Sequence, residues 1–300
     1  MGNPTLVSVR SLTRRYGGRA GIEAVGFDVP EGSLFGFLGP NGSGKTTTIR
    51  VLMGLLRPDA GAASIFGRDC WRDSSRIKAD VGYLPGDLRL YPWMTGEEGL
   101  RLFGRVRGRD IRAVGRELAD LLGLDLMVRV RRMSRGMRQK LGLVLAMAHR
   151  PRLLVLDEPT SALDPLVQED VRRYLLSQAH SGQTIFFSSH SLAEVERVCD
   201  RVAILREGRL VEHETLEALR ARSRRVVEIL WKDLAPIPAE PPVFLRLLER
   251  PQRRWVCELG GAVSDLLRWS AGQPIEDLLV GPPDLESLFR GYYRRQESGR

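Results

Sequence analysis

A phosphate-binding loop is the clearest chemical signal in the sequence. The pattern G-x-x-x-x-G-K-[ST] is matched by Gly39, Pro40, Asn41, Gly42, Ser43, Gly44, Lys45 and Thr46. Its glycines let backbone N–H groups converge on phosphate oxygens, and the start of the following helix adds a positive dipole end. Lys45 would reach the β and γ phosphates, and the Thr46 hydroxyl would bind Mg²⁺. With Thr47, these residues form the predicted nucleotide site.

Two adjacent carboxylates, Asp157 and Glu158, follow a short apolar run and form the second signal. At the carboxyl end of a parallel strand, one carboxylate can serve Mg²⁺, and its neighbour can orient or deprotonate a water that attacks the γ-phosphate. An Asp-Glu pair before Pro159 is also compatible with a helix cap. Its combination with the phosphate loop favours the catalytic interpretation.

The elements around these residues alternate between strands and helices. The segments 6–9, 24–29 and 33–38 have strand character, and the last leads directly into the phosphate loop. The short apolar runs 153–156, 184–188 and 201–205 are typical of strands buried on both faces of a parallel sheet. We therefore predict an α/β fold in which the phosphate loop joins a strand to a helix.

Two further regions are distinct from this alternation. Residues 97–150 have a helical pattern, with one apolar face at 114, 118, 121 and 122 and another at 137, 141, 145 and 148. A proline-rich segment, 236–242, lies near the start of a C-terminal module with predicted strands at 255–259 and 275–280 and helices at 263–269 and 285–293. The predicted domains are residues 1–214, with a helical subdomain at 87–150, and a small α+β domain at 215–300.

In this order, the motifs resemble the nucleotide-binding subunit of the ABC transporter family over about residues 5–215. The resemblance implies a P-loop NTPase core with a helical signature subdomain, ATP and Mg²⁺ as cofactors, and ATP hydrolysis. The end of the chain, 283–293, is similar to the tail of exporter-type, ABC-2-like ATPases. An amphipathic helix that packs into a local core is compatible with this resemblance, and we expect both to hold.

Family resemblance also assigns residues that lie outside the phosphate loop. Met133 to Met137 is similar to the Leu-Ser-Gly-Gly-Gln signature and retains Ser134 and Gly136. This loop would contact the γ-phosphate held by a second subunit, so catalysis would require a dimer. Asp164, in Ser-Ala-Leu-Asp, resembles the D-loop that connects the two sites. By itself, Ser134 could simply cap a helix.

A histidine and a tyrosine complete the set. His190 looks like the switch histidine that senses the γ-phosphate and is assigned a catalytic role beside Glu158 and Lys45. Tyr16 resembles the aromatic residue that stacks on adenine. Taken singly, either could be a packed structural residue.

The sequence departs from the family at the Q-loop, where Gly86 stands in place of the usual glutamine. Asp87 is a candidate substitute ligand for Mg²⁺, directly or through water, but it could instead be a solvated residue of a mobile loop. In the signature, Arg135 and Met137 also differ from the usual residues. Such changes could tune turnover, because the backbone and Ser134 can still meet the phosphate.

Composition limits the classes of protein that remain. The 300 residues have an ordinary globular composition, three widely spaced cysteines and a formal net charge of +9 that is almost entirely arginine. That charge is compatible with nucleic acid, an anionic membrane surface or dispersed, solvated arginines. No apolar run reaches the roughly 20 residues of a membrane span, and no secretory signal is evident, so we expect a cytoplasmic protein. The family resemblance implies that it lies at the inner face of the cell membrane.

These observations predict an ATPase subunit that dimerises around two ATP molecules and drives export through a separate transmembrane permease. The partner ATPase would be a second copy or a related subunit, and no nucleic acid is expected. Two alternatives remain open. One is a soluble ABC ATPase that acts on nucleic acid or ribosomes, although a single cassette without sustained heptads disfavours it. The other is a non-hydrolysing regulatory subunit, which the presence of Glu158 and His190 disfavours.

Overall fold

The computed structural model describes residues 3–17 and 19–283, and the chain divides into one unit that ends at Glu214 and another that begins at Thr215. The strands of the first unit are β1 (Thr5–Tyr16), β2 (Arg19–Pro30), β3 (Leu34–Leu38), β4 (Ala60–Ile65), β5 (Arg68–Asp69), β6 (Val81–Leu84), β7 (Leu153–Asp157), β8 (Thr184–Ser189), β9 (Arg201–Arg206) and β10 (Arg209–Thr215). Its helices are α1 (Lys45–Leu52), α2 (Ser74–Ala79), α3 (Gly96–Arg107), α4 (Arg112–Leu121), α5 (Arg135–Met147), α6 (Pro165–His180) and α7 (Leu192–Val198), with a 3-10 turn at Val130–Arg132.

The central sheet of this unit has the order β10-β9-β3-β8-β7-β6. Strand β3 pairs in parallel with β8 and β9, and β7 pairs in parallel with β6 and β8. Every residue of β3, β7 and β8 is buried, which explains why these strands read as continuous apolar runs. The predicted strands and the α/β fold are confirmed.

A second sheet, of order β2-β1-β4-β5, is antiparallel. Four phenylalanines join its β2 strand to the central sheet, with ring centroids 5.2–6.0 Å apart: Phe27, Phe35, Phe37 and Phe186. Aromatic packing of this kind fixes the two sheets against each other. Because β3, β8 and β7 run parallel in the central sheet, their carboxyl ends meet at one edge, and the predicted site residues follow there.

Between β6 and β7 the chain is helical. Helix α3 begins with a capping box in which the Thr95 side chain accepts from the Glu98 backbone N–H and the Glu98 carboxylate accepts from Thr95 N–H. Of the apolar positions predicted for α4, Leu118 and Leu122 are buried, whereas Leu121 is exposed. Leu141, Leu145 and Ala148 are buried as expected for the face of α5.

The second unit contains a four-stranded antiparallel sheet in the order β12-β13-β11-β14. Its strands are β11 (Arg225–Trp231), β12 (Leu245–Glu249), β13 (Arg254–Leu259) and β14 (Ile275–Pro283), and its helices are α8 (Leu216–Arg222) and α9 (Val263–Ser270). Trp231 and Trp255 pack edge to face in its core, with ring centroids 5.0 Å apart. The strands predicted at 255–259 and 275–280 and the helix at 263–269 are present, and the helix predicted at 285–293 lies outside the described residues.

Within residues 3–17 and 19–283, no helix is both long and apolar enough to cross a bilayer.

Candidate functional site

The phosphate loop connects β3 to α1 and adopts the backbone that its glycines allow. Gly42 and Gly44 have φ values of 79° and 105°, which side chains rarely tolerate. A Cβ atom on Gly44 would also lie 2.7 Å from the carbonyl oxygen of Gly21. Glycine is therefore required at residue 44, directly before the helix begins at Lys45.

Lys45 is held in the centre of this loop. Its side chain is 5% exposed, and Nζ donates to the carbonyl oxygens of Gly39 at 2.6 Å and Pro40 at 3.2 Å. The same Nζ lies 3.3 Å from Glu158 Oε1. The buried Lys45 ammonium group therefore contacts both the loop carbonyls and the carboxylate of Glu158, which follows β7. In the sheet, β7 is the second strand from β3.

Asp157 connects the loop to the central sheet through two hydroxyl groups. Thr46 Oγ1 donates to Asp157 Oδ2 at 2.9 Å, and Ser188 Oγ donates to Asp157 Oδ1 at 2.6 Å. Asp157 is 1% exposed, so both of its oxygens are fixed within the protein. Thr46 and Asp157 are brought together, as the sequence predicted.

This donor set suits Mg²⁺, which prefers oxygen ligands and usually shares them with phosphate groups and water. Among the described residues, no cluster of three or more His, Cys, Asp or Glu side chains could hold a metal by itself. A metal ion beside Thr46 and Asp157 would therefore need further oxygens from a bound nucleotide or from water. The chemistry of the two residues fits that requirement.

Glu158 has a left-handed backbone, with φ of 51°, and its N–H lies within hydrogen-bonding distance of both Ser188 O and Ser188 Oγ. A non-glycine residue in this region is strained, and such strain is found most often at functional sites. His190 Nδ1 lies 3.2 Å from Glu158 Oε2. Lys45 and His190 therefore contact the two different oxygens of the Glu158 carboxylate.

Tyr16 and the phosphate loop line one cleft of about 480 Å³. Tyr16 is 45% exposed, and the Arg14 guanidinium lies 5.5 Å from the centroid of its ring. The lining includes Tyr16, Gly21, Asn41, Gly42, Gly44, Lys45, Thr46, Thr47, Glu158, Glu207 and Gly208. The structure thus brings together an aromatic side chain, the phosphate loop and the carboxylate of Glu158 around one space.

Ser134, Gly136 and Asp164 do not line this cleft. The Ser134 hydroxyl caps α5 by accepting from Met137 N–H at 3.1 Å, and the Asp164 carboxylate caps α6 by accepting from Val167 N–H at 3.0 Å. Gly136 packs against the segment before α6, because a Cβ there would lie 2.8 Å from Ala162 O. Within one chain, the signature and D-loop segments contact each other and not the cleft.

The metal-ligand prediction for Asp87 is not supported by its contacts. Its carboxylate is 63% exposed and pairs with Arg89, with Arg89 Nη2 2.9 Å from Asp87 Oδ2. It is Gly86 that lies against Asp157: a Cβ on residue 86 would be 3.1 Å from Asp157 Oδ2. Asp87 remains a predicted ligand because a carboxylate can bind Mg²⁺ and a glycine side chain cannot, but the backbone at the end of β6 directs residue 86 toward Asp157.

Two contacts at the site were missed from the sequence. Gln139 on α5 is buried, and its Nε2 donates to the carbonyl oxygens of Glu158 at 3.3 Å and Pro159 at 3.0 Å. Gly208 N–H donates to Ser43 O at 2.9 Å, so the turn between β9 and β10 supports the phosphate loop. A glutamine at the edge of an apolar helical face was the one available signal for the first contact.

Comparisons with known proteins agree with this geometry. The family described as "ABC transporter" matches residues 22–161. The chain is 36% identical over 232 residues to the bacitracin transport ATP-binding protein BcrA of Bacillus licheniformis, covering 76% of each protein. It is 35% identical over 216 residues to the Nod factor export ATP-binding protein I of Ralstonia nicotianae, covering 70% of this chain and 67% of that one.

Solved structures show the same fold. An ATP-binding subunit of an ABC transporter matches with a TM-score of 0.67 and 34% identity, over 73% of this chain and 93% of that one. A dimeric bacterial ABC transporter cassette matches with a TM-score of 0.66 and 22% identity, over 70% and 99%. The second likeness supports the fold alone.

Proposed function

The chain belongs to the family of ABC transporter ATP-binding proteins and is an ATPase, and from this premise we propose that it dimerises around two ATP molecules to drive export through a separate transmembrane partner. The observation that carries the proposal is the meeting of Lys45, Thr46 and Asp157 with the pair Glu158 and His190. ATP is bound and hydrolysed by members of this family.

Lys45 and the backbone N–H groups of the phosphate loop bind the β and γ phosphates in this proposal. On binding, the phosphate oxygens replace Glu158 Oε1 as the partner of the Lys45 ammonium group. Thr46 and Asp157 hold Mg²⁺, which when bound would neutralise charge on the phosphate oxygens. Tyr16, which is half-exposed and lines the same cleft, stacks on the adenine ring.

Glu158 is the proposed catalytic carboxylate. Once Lys45 is engaged by phosphate, Glu158 is free to accept a proton from the attacking water or to orient that water. His190, which already contacts Glu158 Oε2, holds the carboxylate in place and detects the γ-phosphate. The left-handed backbone at Glu158 sets the direction of its side chain toward the cleft.

A second subunit is needed to complete each site. Ser134 is exposed at the start of α5 and does not line the cleft of its own chain. We propose that Ser134 and Gly136 meet the γ-phosphate bound to the opposite subunit, and that the segment ending at Asp164 connects the two sites. This requirement is met by a homodimer and equally by a heterodimer with a related ATPase subunit.

The partner surface is proposed to lie in residues 87–150. Tyr91 and Trp93 are 58% and 60% exposed there and stack on each other with ring centroids 5.6 Å apart. Exposed, ordered aromatic pairs are typical of protein interfaces.

The same segment, residues 87–150, contains fourteen Arg and Lys against seven Asp and Glu, so it contributes +7 of the chain's net charge of +9. A positive net charge in this segment suits a position against the inner face of a membrane.

Export is inferred from the names of the relatives, which are transport proteins for bacitracin and exporters of Nod factor. In this proposal residues 1–214 are the nucleotide-binding domain, and residues 215–300 are an accessory domain.

The proposal is tested by cell fractionation of the tagged full chain. Wild type is expected in the membrane fraction with a membrane-spanning protein, and the double variant Tyr91→Asp/Trp93→Asp is expected to leave that fraction while keeping ATPase activity. Trp71→Asp is the control, because Trp71 is also exposed, at 45%, but lies outside residues 87–150. Recovery of wild type with ribosomes or nucleic acid would instead favour the soluble alternative and contradict the transport role.

A further inference from the structure

A carboxylate outside the nucleotide cleft connects two loops of the site. Glu194 lies on α7 and accepts hydrogen bonds with both of its oxygens. Thr160 Oγ1 donates to Oε1 at 2.8 Å, and Ser189 Oγ donates to Oε2 at 2.5 Å. Glu194 therefore forms a bridge between the segments that follow β7 and end β8.

Each bridged hydroxyl lies close to a proposed catalytic residue. Thr160 is two residues after Glu158 and directly precedes the segment that leads to Asp164. Ser189 directly precedes His190, and its carbonyl oxygen accepts from Gly39 N–H at 3.3 Å. A displacement of either hydroxyl would change the distance between Glu158 and His190, because each is within two residues of one of them.

Glu194 itself has a fixed position. Helix α7 is capped by Ser191, whose Oγ accepts a hydrogen bond from Glu194 N–H at 3.4 Å. Val195, the next residue, is fully buried against β3, since a Cβ on Gly36 would lie 2.6 Å from Val195 Cγ1. The carboxylate is thus presented from a packed helix.

The chemical type of the residue also matters. A carboxylate offers acceptors on both oxygens and can receive two hydroxyl protons at once, and hydrogen bonds to a charged acceptor are stronger than neutral ones. A glutamine at this position has one oxygen acceptor, so one of the two hydroxyls would have to accept a hydrogen bond from its amide group instead of donating to a carboxylate oxygen. The bridge would therefore consist of weaker, neutral hydrogen bonds, one of them reversed.

We propose that Glu194 is a positioning residue for ATP hydrolysis, which holds Glu158 and His190 at the mutual distance that turnover requires. The inference rests on the catalytic roles proposed for these two residues. It predicts an effect on turnover that is separate from ATP binding, because Glu194 does not line the cleft.

The test measures kcat and ATP affinity of the full chain in three single variants and one double variant. Glu194→Gln and Thr160→Val are each expected to lower kcat about tenfold, while the Kd for ATP stays within about twofold. Thr160→Ser retains the hydroxyl and is expected to restore kcat to near the wild-type value. The double variant Glu194→Gln/Thr160→Val should be little slower than either single variant, because both changes weaken the same bridge.

Two controls separate the bridge from general stability and from the proposed function. Thr215→Ala removes the cap of α8, which takes no part in the bridge, and it should keep its kcat. His190→Ala tests the underlying role: if it keeps full turnover, the assignment of His190 fails. If His190→Ala loses turnover while Glu194→Gln or Thr160→Val keeps it, the role of the bridge is overturned and the assignment of His190 stands. The role of the bridge is also overturned if kcat, ATP affinity and the melting temperature of Glu194→Gln and Thr160→Val all fall together.

Discussion

Gly86 lies so close to Asp157 that a Cβ atom on residue 86 would be 3.1 Å from Asp157 Oδ2. That oxygen also accepts the hydrogen bond from Thr46. Residue 86 is therefore the position from which this loop can act on the proposed metal site. The glycine leaves room beside the carboxylate but supplies no ligand of its own.

Gly86→Ala should therefore impair hydrolysis, because the new methyl group crowds the oxygen shared by Thr46 and Asp157. We expect ATPase activity to fall about tenfold and half-saturation to need more Mg²⁺. Asp87→Ala is the matched control and should leave the Mg²⁺ dependence unchanged, since its carboxylate pairs with Arg89 at the surface. A raised Mg²⁺ requirement in Asp87→Ala, with none in Gly86→Ala, would restore Asp87 as the ligand.

Asp87 is an example of a residue whose side-chain direction cannot be predicted from the sequence. The pattern of short apolar runs gave the strands and their alternation with helices, because full burial in a parallel sheet leaves a clear trace in sequence. The direction of a single side chain at a strand end leaves none. Whether residue 86 or residue 87 meets Asp157 depends on how β6 ends, and only the folded backbone decides that.

Lys45→Ala should abolish tight ATP binding. The phosphates lose their main protein cation, and Glu158 is left without its partner at 3.3 Å. We expect ATP affinity to fall by about 100-fold or more in a direct titration, whereas Lys232→Ala, an exposed lysine of the second unit, should bind normally. Equal affinity for Lys45→Ala and wild type would remove the phosphate-loop assignment.

Gly136→Ala should separate ATP binding from hydrolysis. A methyl group there meets Ala162 O at 2.8 Å, so the start of α5 and the segment before α6 must move apart. We expect turnover to fall about tenfold or more with ATP affinity unchanged. Gly99→Ala on α3 is the control, because its Cβ would make only ordinary contacts of 3.4 Å or longer. Normal turnover in Gly136→Ala would argue against a role for this segment.

The free energy of unfolding should depend on pH because His149 is a buried histidine with a lowered pKa. Burial lowers the pKa of His149 to about 4, and the positive charge of Arg107 adds to the effect. Because an unfolded histidine titrates near pH 6.5, the unfolded chain binds a proton that the folded chain does not between about pH 6.5 and 4. Stability is therefore lost as the pH falls through that window, by about 3 kcal/mol at most.

His149→Leu removes this proton uptake. The melting temperature of the variant should fall less than that of wild type between pH 7 and 4.5, whatever its value at pH 7. Parallel pH profiles for the two proteins would mean that His149 does not titrate with a lowered pKa.

The sequence predicted the residues of the site better than the contacts that support them. Lys45, Thr46, Asp157, Glu158 and His190 stand in ordered motifs that a linear pattern can identify. Gln139 and Glu194 are ordinary polar residues of helices until the fold brings them to backbone carbonyls or loop hydroxyls. Such contacts join segments about 20 to 34 residues apart, and no local pattern encodes them.

The most direct test of the account compares Glu158→Gln with wild type in ATP binding, self-association and ATP turnover. The amide keeps the shape of the side chain but is a poor base for the attacking water. We predict that the variant binds ATP at least as tightly as wild type, forms a stable ATP-dependent dimer with itself or its partner ATPase, and hydrolyses ATP more than about 100-fold more slowly. Turnover at the wild-type rate would show that Glu158 is not the catalytic carboxylate and would contradict the mechanism.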